Sequence, residues 1–265
     1  MIEKGKVIVV KIGGSTLGEH DTTLEDLVIL QRKKVPLVVV HGGGNKITNW
    51  LSRQGTPTNF VRGLRVTDEK VLEVVTAILG GLVNKELVAS INLLGGKALG
   101  LTGVDGNLVE GKIEQVELGY VGTITGINLE PLETILNAGF IPIVAPPCAK
   151  AASETAEVPF LNINGDEIAG ELAAALNAEK LIFLTDVEGI CNQEGNLLSE
   201  LTPERINSLI DSGVISGGML PKVKAALRAL PYTSSVQIID GRLPHALLKA
   251  VEGKAKGTQL KSSSS

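Results

Sequence analysis

An α/β fold is predicted: a three-layer αβα sandwich around an open, mainly parallel central sheet of about eight strands. Three observations predict it. Short runs of branched aliphatics alternate with longer segments at helical spacing, as in chained strand–helix–strand units. Aromatics make up only 3% of the residues, so Val, Ile, Leu and Ala must fill the core, as they do in parallel sheets buried on both faces. Glycines cluster directly after apolar runs, where backbone can approach a ligand closely.

Residues 7–10, 36–40, 97–102, 140–144, 181–185 and 236–239 read as buried strands, being short apolar runs bounded by polar or turn residues. After the second run, Ile47, Trp50 and Leu51 fall at helical spacing, and Gly55 supplies a stop. Residues 56–67 are rich in turn formers and read as a short antiparallel ribbon. Asp68 opens a helical segment to Leu94, with Gly80 and Gly81 expected to interrupt it. A second ribbon is expected over 107–127, and helices over 129–138, 166–178, 203–211 and 219–230. Residues 147–158 carry little pattern. They mark the expected crossing between two lobes that share one sheet, 1–150 and 151–265.

Composition excludes several classes. The net charge is −4 with no long basic run, which argues against nucleic acid as a partner. No uninterrupted apolar run reaches the roughly 18 residues a membrane helix needs. The first ten residues are too short and too lysine-rich for a signal peptide. Cys148 and Cys191 lack metal-ligand spacing and make no disulfide framework, so a reducing cytoplasm is expected. Residues 261–265 read as a disordered polar tail.

Five motifs could carry chemistry. Lys11-Ile12-Gly13-Gly14-Ser15 follows the first strand. The carboxyl ends of parallel strands line the ligand crevice, and a glycine pair there lets N–H groups face an anion. A solvated lysine beside an ordinary turn fits this motif equally well. His41-Gly42-Gly43-Gly44 joins the second strand to a helix, more glycine than a turn needs and a good phosphate seat. His41 itself reads as a strand-end histidine making a local hydrogen bond. Neither loop is GxxxxGK[ST] or GxGxxG. Arg62 and Arg65 sit on the first ribbon beside a helix start; taken alone they read as solvated charge. Asn162, Asn164 and Asp166 open a helix, where such residues usually only cap. Gly217-Gly218-Met219-Leu220-Pro221-Lys222 opens another, and a lysine in a first turn opposes the helix dipole, which points to an anionic partner.

In this order and at these separations the motifs resemble the amino-acid kinase family, and within it the members that phosphorylate N-acetyl-L-glutamate. The match runs from Val7 to about Thr258, with Ile239-Asp240-Gly241-Arg242 similar to the family's closing segment. The resemblance implies the carbamate kinase-like fold, an amino-acid lobe followed by a nucleotide lobe, and ATP with Mg²⁺ carried mainly by the nucleotide and water, without a protein metal site. It implies that Lys11 and Lys222 contact the transferring phosphoryl group from two sides and that Asp166 orients them. Gly43, Gly44, Arg65 and Asn162 would hold the acylamino acid, with Arg65 clamping its α-carboxylate. Gly13 and Gly14 would approach the ATP phosphates, and Thr185, Asp186, Val187, Val214, Ile215 and Ser216 would flank the nucleotide. It also implies a homodimer held by first-lobe helices; only six residues precede the first strand, so arginine feedback is not expected.

The chemistry agrees. A γ-carboxylate with a pKa of about 4.3 is already ionised at neutral pH and needs no general base. His20, His41 and His245 show no catalytic arrangement. The obstacle is repulsion between two anions, which ammonium groups, helix N-termini and glycine N–H groups offset. Two other readings compete: a kinase acting on aminoadipate or glutamate attached to a carrier protein, and a silent nucleotide-binding regulator. The 60–68 match favours the free substrate, and the retention of Lys11, Asp166 and Lys222 together argues against silence.

Overall fold

In the computed structural model, which describes residues 5–14, 22–155 and 157–262, eleven strands build one sheet and two more form a separate ribbon. Strand β1 (Ile8–Ile12) is fully buried and lies in the middle of the sheet. It leads through helix α1 (Thr23–Arg32) to β2 (Leu37–His41), then to α2 (Gly44–Arg53) and the antiparallel ribbon β3 (Phe60–Val61) and β4 (Leu64–Arg65). Helices α3 (Glu69–Val75) and α4 (Asn84–Leu93) follow, joined by a π-helical stretch, Thr76–Val83. Next come β5 (Ala98–Gly103), β6 (Val109–Ile113), β7 (Gly122–Ile127), α5 (Glu130–Asn137) and β8 (Ile141–Lys150). The later part carries β9 (Phe160–Asn162), α6 (Gly165–Ala175), β10 (Lys180–Thr185), β11 (Glu200–Leu201), α7 (Pro203–Asp211) and α8 (Met219–Ala229). It closes with β12 (Ser235–Asp240), α9 (Ala246–Val251) and β13 (Gly257–Leu260).

The sheet runs β12, β10, β1, β2, β8, β5 in parallel through its centre. Antiparallel pairs sit at the margins: β13 on β12, β7 on β6 and β9 on β8. Eleven strands rather than about eight result because β9, β11 and β13, with two to four residues each, are too short to register as apolar runs. Two helices also lie outside the sequence expectation. Asp26 of α1 accepts from the Leu248 N–H and sits 2.7 Å from His245 Nδ1, tying α1 to α9.

Gly80 and Gly81 do not interrupt the long helix. The chain stays helical from Glu69 to Leu93 and takes the glycines into its π-helical stretch, where a Cβ on Gly80 would sit 3.0 Å from Thr102 Cγ2 of β5. That helix is long and apolar enough to cross a membrane, which counting uninterrupted apolar runs does not reveal. Val71, Leu72, Val75, Ile78, Leu79 and Leu87 turn into the core, while Leu82 and Leu93 are exposed. Residues 147–150, expected to be pattern-poor, extend β8 past Pro146 and Pro147. The strand first pairs with β2 and β5, then with β6 and β9.

Strand alternation sorts side chains onto the two helix layers. Val7, Val9, Val38, Val40 and Phe183 pack with Ile168, Leu172, Val223 and Ala226 of α6 and α8. Ile8, Val10, Ile12, Leu37 and Val39 pack with Leu27, Ile47, Leu79 and Leu87 on the opposite face. The parity places Lys11 on the α6/α8 side and His41 on the α3/α4 side.

Candidate active site

The chain leaves β1 on one side toward β2 and returns on its other side through β10, so the sheet order reverses at β1. Open parallel sheets bind ligands outside the carboxyl ends of the strands at such a reversal. Lys11 is the last but one residue of β1, and Gly13 and Gly14 follow it.

A hollow of about 280 Å³ opens there. It is lined by Lys11, Gly14, Gly43, Gly44, Arg65, Asn162, Asp166 and Lys222 among others. The starts of α2, α6 and α8 converge on it, so three helix dipoles point their positive ends at the hollow. Asn164 caps α6 by accepting from the Asp166 N–H, which fixes the first turn that carries Asp166. Helices α6 and α8 can lie this close because Gly170 has no side chain: a Cβ there would sit 2.7 Å from the Ala225 carbonyl oxygen.

Asp166 is 4% exposed and stands between the two lysines. Lys222 Nζ donates to Oδ2 at 3.0 Å. Lys11 Nζ lies 2.7 Å from Oδ1 and forms an ion pair with it. Burial alone would raise the Asp166 pKa, but the two ammonium groups outweigh it and hold the carboxyl below its ordinary value. The Lys11 pKa is lowered as well, but by burial, which, assisted by repulsion from Lys222, outweighs Asp166.

Arg65 is held from inside the protein. Its Nη2 donates to Gly44 O at 3.0 Å and to Thr48 Oγ1 at 2.9 Å, and its guanidinium stacks 4.8 Å from the Phe60 ring centre. Its Nη1 is buried without a hydrogen-bond partner among the described residues. Such an orphaned donor suits a carboxylate oxygen. Asn162 donates to Thr67 Oγ1 at 3.2 Å, and Thr67 donates to Arg65 O, so the two expected substrate contacts share one brace. The backbones of Gly14 and Gly43 nearly touch: a Cβ on Gly14 would sit 3.0 Å from Gly43 Cα.

The residues assigned by resemblance to the nucleotide do not line this hollow, Gly14 excepted. Gly13 donates its N–H to Leu184 O at 3.3 Å beside the end of β10. Thr185 is buried, its hydroxyl 2.9 Å from Val187 O and 3.1 Å from Ile239 O, while Asp186 and Val187 are exposed just beyond β10. In the loop before α8, Val214 is half-buried and Ser216 exposed, but Ile215 is buried in the α6/α8 layer with its N–H on Leu209 O. Ser15 and His20 lie outside the described residues. Sequence reasoning missed Thr48 and Thr67. Both act through contacts to Arg65, and Thr48 at 17 positions away has no local spacing signal. No group of three His, Cys, Asp or Glu able to hold a metal ion occurs among the described residues.

The sequence profile of the Amino acid kinase family matches residues 6–240. Acetylglutamate kinase of Dehalococcoides mccartyi strain BAV1 is 41% identical over 95% of this chain and 93% of its own. The enzyme of the same name from Cereibacter sphaeroides strain ATCC 17029 is 42% identical over 97% of this chain and 88% of its own. A solved structure from Streptococcus mutans superposes with a TM-score of 0.84 at 30% identity, covering 97% of this chain and 99% of that one. This chain belongs to the amino acid kinase family.

Proposed function

We propose that the protein catalyses ATP-dependent phosphorylation of the γ-carboxylate of N-acetyl-L-glutamate, giving the acyl phosphate and ADP. The observation that carries this is the Lys11–Asp166–Lys222 assembly at the mouth of the glycine loops. Two ammonium groups held by one buried carboxylate face a space bounded by helix N-termini. Such a space stabilises charge spread over a transferring phosphoryl group and needs no base. Arg65 and Asn162 supply the grip on the amino-acid end, with the unmatched Nη1 of Arg65 taking the α-carboxylate. Gly43 and Gly44 bring backbone against the acyl chain.

The nucleotide lies across the ends of β1 and β10. Gly13 and Gly14 approach its phosphates, and Thr185, Asp186, Val187, Val214, Ile215 and Ser216 flank it, Ile215 through its backbone. Mg²⁺ would be carried mainly by the nucleotide and water, where it would offset phosphate charge. Residues 1–150 form the amino-acid lobe and 151–265 the nucleotide lobe. Two copies pair along the long helix from Glu69 to Leu93, where Leu82 and Leu93, with Leu94 just beyond it, expose apolar surface. The reaction is cytoplasmic.

An ADP-release assay with N-acetylglutamate, glutamate and aminoadipate tests the reading. Turnover is expected with the first. Release of ADP only with one of the other two, or with none, overturns it. Light scattering is expected to give a dimer, and a monomer or hexamer would contradict the assembly.

A further inference from the structure

We propose that His41 is a positioning residue for phosphoryl transfer, its Nδ1–H holding the Gly42 carbonyl so that the Gly43 N–H turns to the hollow. This rests on the kinase reading above.

His41 ends β2, is fully buried, and faces α3 and α4 rather than the lysines. Its Nδ1 lies 2.9 Å from Gly42 O, and its Nε2 lies 3.2 Å from Asn84 Nδ2. The orientation of the Asn84 amide is set by its other partners. Nδ2 also donates to Ile143 O at 2.8 Å, and Oδ1 accepts from Lys85 Nζ at 3.1 Å. A bare Gly100 makes room for it, since a Cβ there would fall 1.9 Å from Asn84 Oδ1.

These partners leave the imidazole one state. A carbonyl oxygen only accepts, so Nδ1 carries the proton. An amide nitrogen only donates, so Nε2 is bare. A second proton would set N–H against N–H. Burial agrees, pushing the pKa down to about 4, and the nearby Lys11 and Lys85 oppose a charged ring in spite of the Gly42 contact.

The consequence falls on the next peptide. The Gly42 N–H is taken by Ile12 O at 3.0 Å and its carbonyl by His41, so both polar groups of Gly42 are pinned. In a trans peptide the carbonyl and the following N–H point in opposite directions. With the carbonyl turned toward the α3/α4 layer, the Gly43 N–H points to the other side, where a Cβ on Gly42 would sit 3.7 Å from Lys11 Nζ and one on Gly14 3.2 Å from Gly43 N. Among the described residues neither Gly43 nor Gly44 N–H has a partner. A neutral, single-tautomer ring therefore holds a free donor beside the ammonium pair.

Wild-type turnover of N-acetylglutamate is measured first, which judges the kinase reading by itself. His41→Asn then keeps a donor at the Nδ1 position, His41→Gln moves it to the Nε2 position, and His41→Leu removes it. Expected is a loss of about 10² in kcat for the Leu and Gln variants, with little change in KM, and recovery of at least tenfold in His41→Asn over His41→Leu. Equal losses in Asn and Leu variants, or no loss in any, overturn the proposal. Nitrogen-15 NMR of the wild-type imidazole needs no variant to fold. A ring protonated on Nε2, or one titrating between about pH 6 and 9, also overturns it.

Discussion

Lys222 reaches Asp166 across 56 positions of sequence and so joins the first turn of α8 to that of α6. Asp166→Asn keeps the shape and removes the charge that holds two ammonium groups together. A fall in kcat of about 10² or more is expected, with a lower melting temperature, because both lysines lose their counter-ion in a nearly dry site. Lys11→Ala and Lys222→Ala should each lower kcat by about 10²–10³. Steady-state kinetics and thermal melts check this; wild-type turnover in both lysine variants would dismiss their role.

The pH profile follows from the same triad. Lys11 must be cationic to meet a phosphoryl group, and its pKa lies below the ordinary lysine value of 10.5 because it is buried. The alkaline limb of kcat/KM, which reports the free enzyme, is expected below pH 10.5. Asp166 shifts from its own ordinary value for the opposite reason, the nearness of two cations. A carboxyl with a depressed folded pKa contributes stability above its unfolded value of 3.8, and loses it only as pH falls through the lower folded value. The triad should therefore survive moderate acid, as titration followed by circular dichroism can check. An alkaline limb at or above the ordinary lysine range contradicts the Lys11 environment.

Arg65→Ala should act mainly on binding. Among the described residues Nη1 has no partner, and a charge-assisted hydrogen bond contributes about 1.5–3 kcal/mol, so the KM for the acylamino acid rises roughly tenfold to a hundredfold with kcat changed much less. A collapsed kcat at unchanged KM would place Arg65 elsewhere in the reaction.

The two adjacent glycines of the long helix should respond differently to alanine. A Cβ on Gly81 meets nothing within 4 Å, whereas one on Gly80 meets Thr102 at 3.0 Å. Gly81→Ala should stabilise by up to about 1 kcal/mol through helix propensity, and Gly80→Ala should give less or reverse sign. Denaturant midpoints of the two variants distinguish them, and equal shifts would argue against the close approach to β5.

Much of the architecture is legible because buried parallel strands need unbroken aliphatic runs, and the six expected ones all occur in the sheet, with ends shifted by a residue or more. Lys11 and Asp166 are legible only through the family resemblance, since by themselves a solvated lysine beside a turn and a helix cap fit these positions as well. Further features are hidden from the sequence. Leu27, Val28 and Leu30 do carry a helical repeat in α1, but its meaning depends on α9, more than two hundred positions away. The edge strands owe their existence to neighbours rather than to their own composition. Asn84 looks like any polar residue on a helix until the fold brings His41, Ile143 and Lys85 around it.

The approach of α6 and α8 over Gly170 has a thermodynamic meaning. The spacing of Lys222 from Asp166 is decided by helix packing, and that of Lys11 by the seating of α6 on β1, well before any reactant arrives. The work of crowding like charges is done once, as the chain folds, and need not be repeated in each turnover cycle.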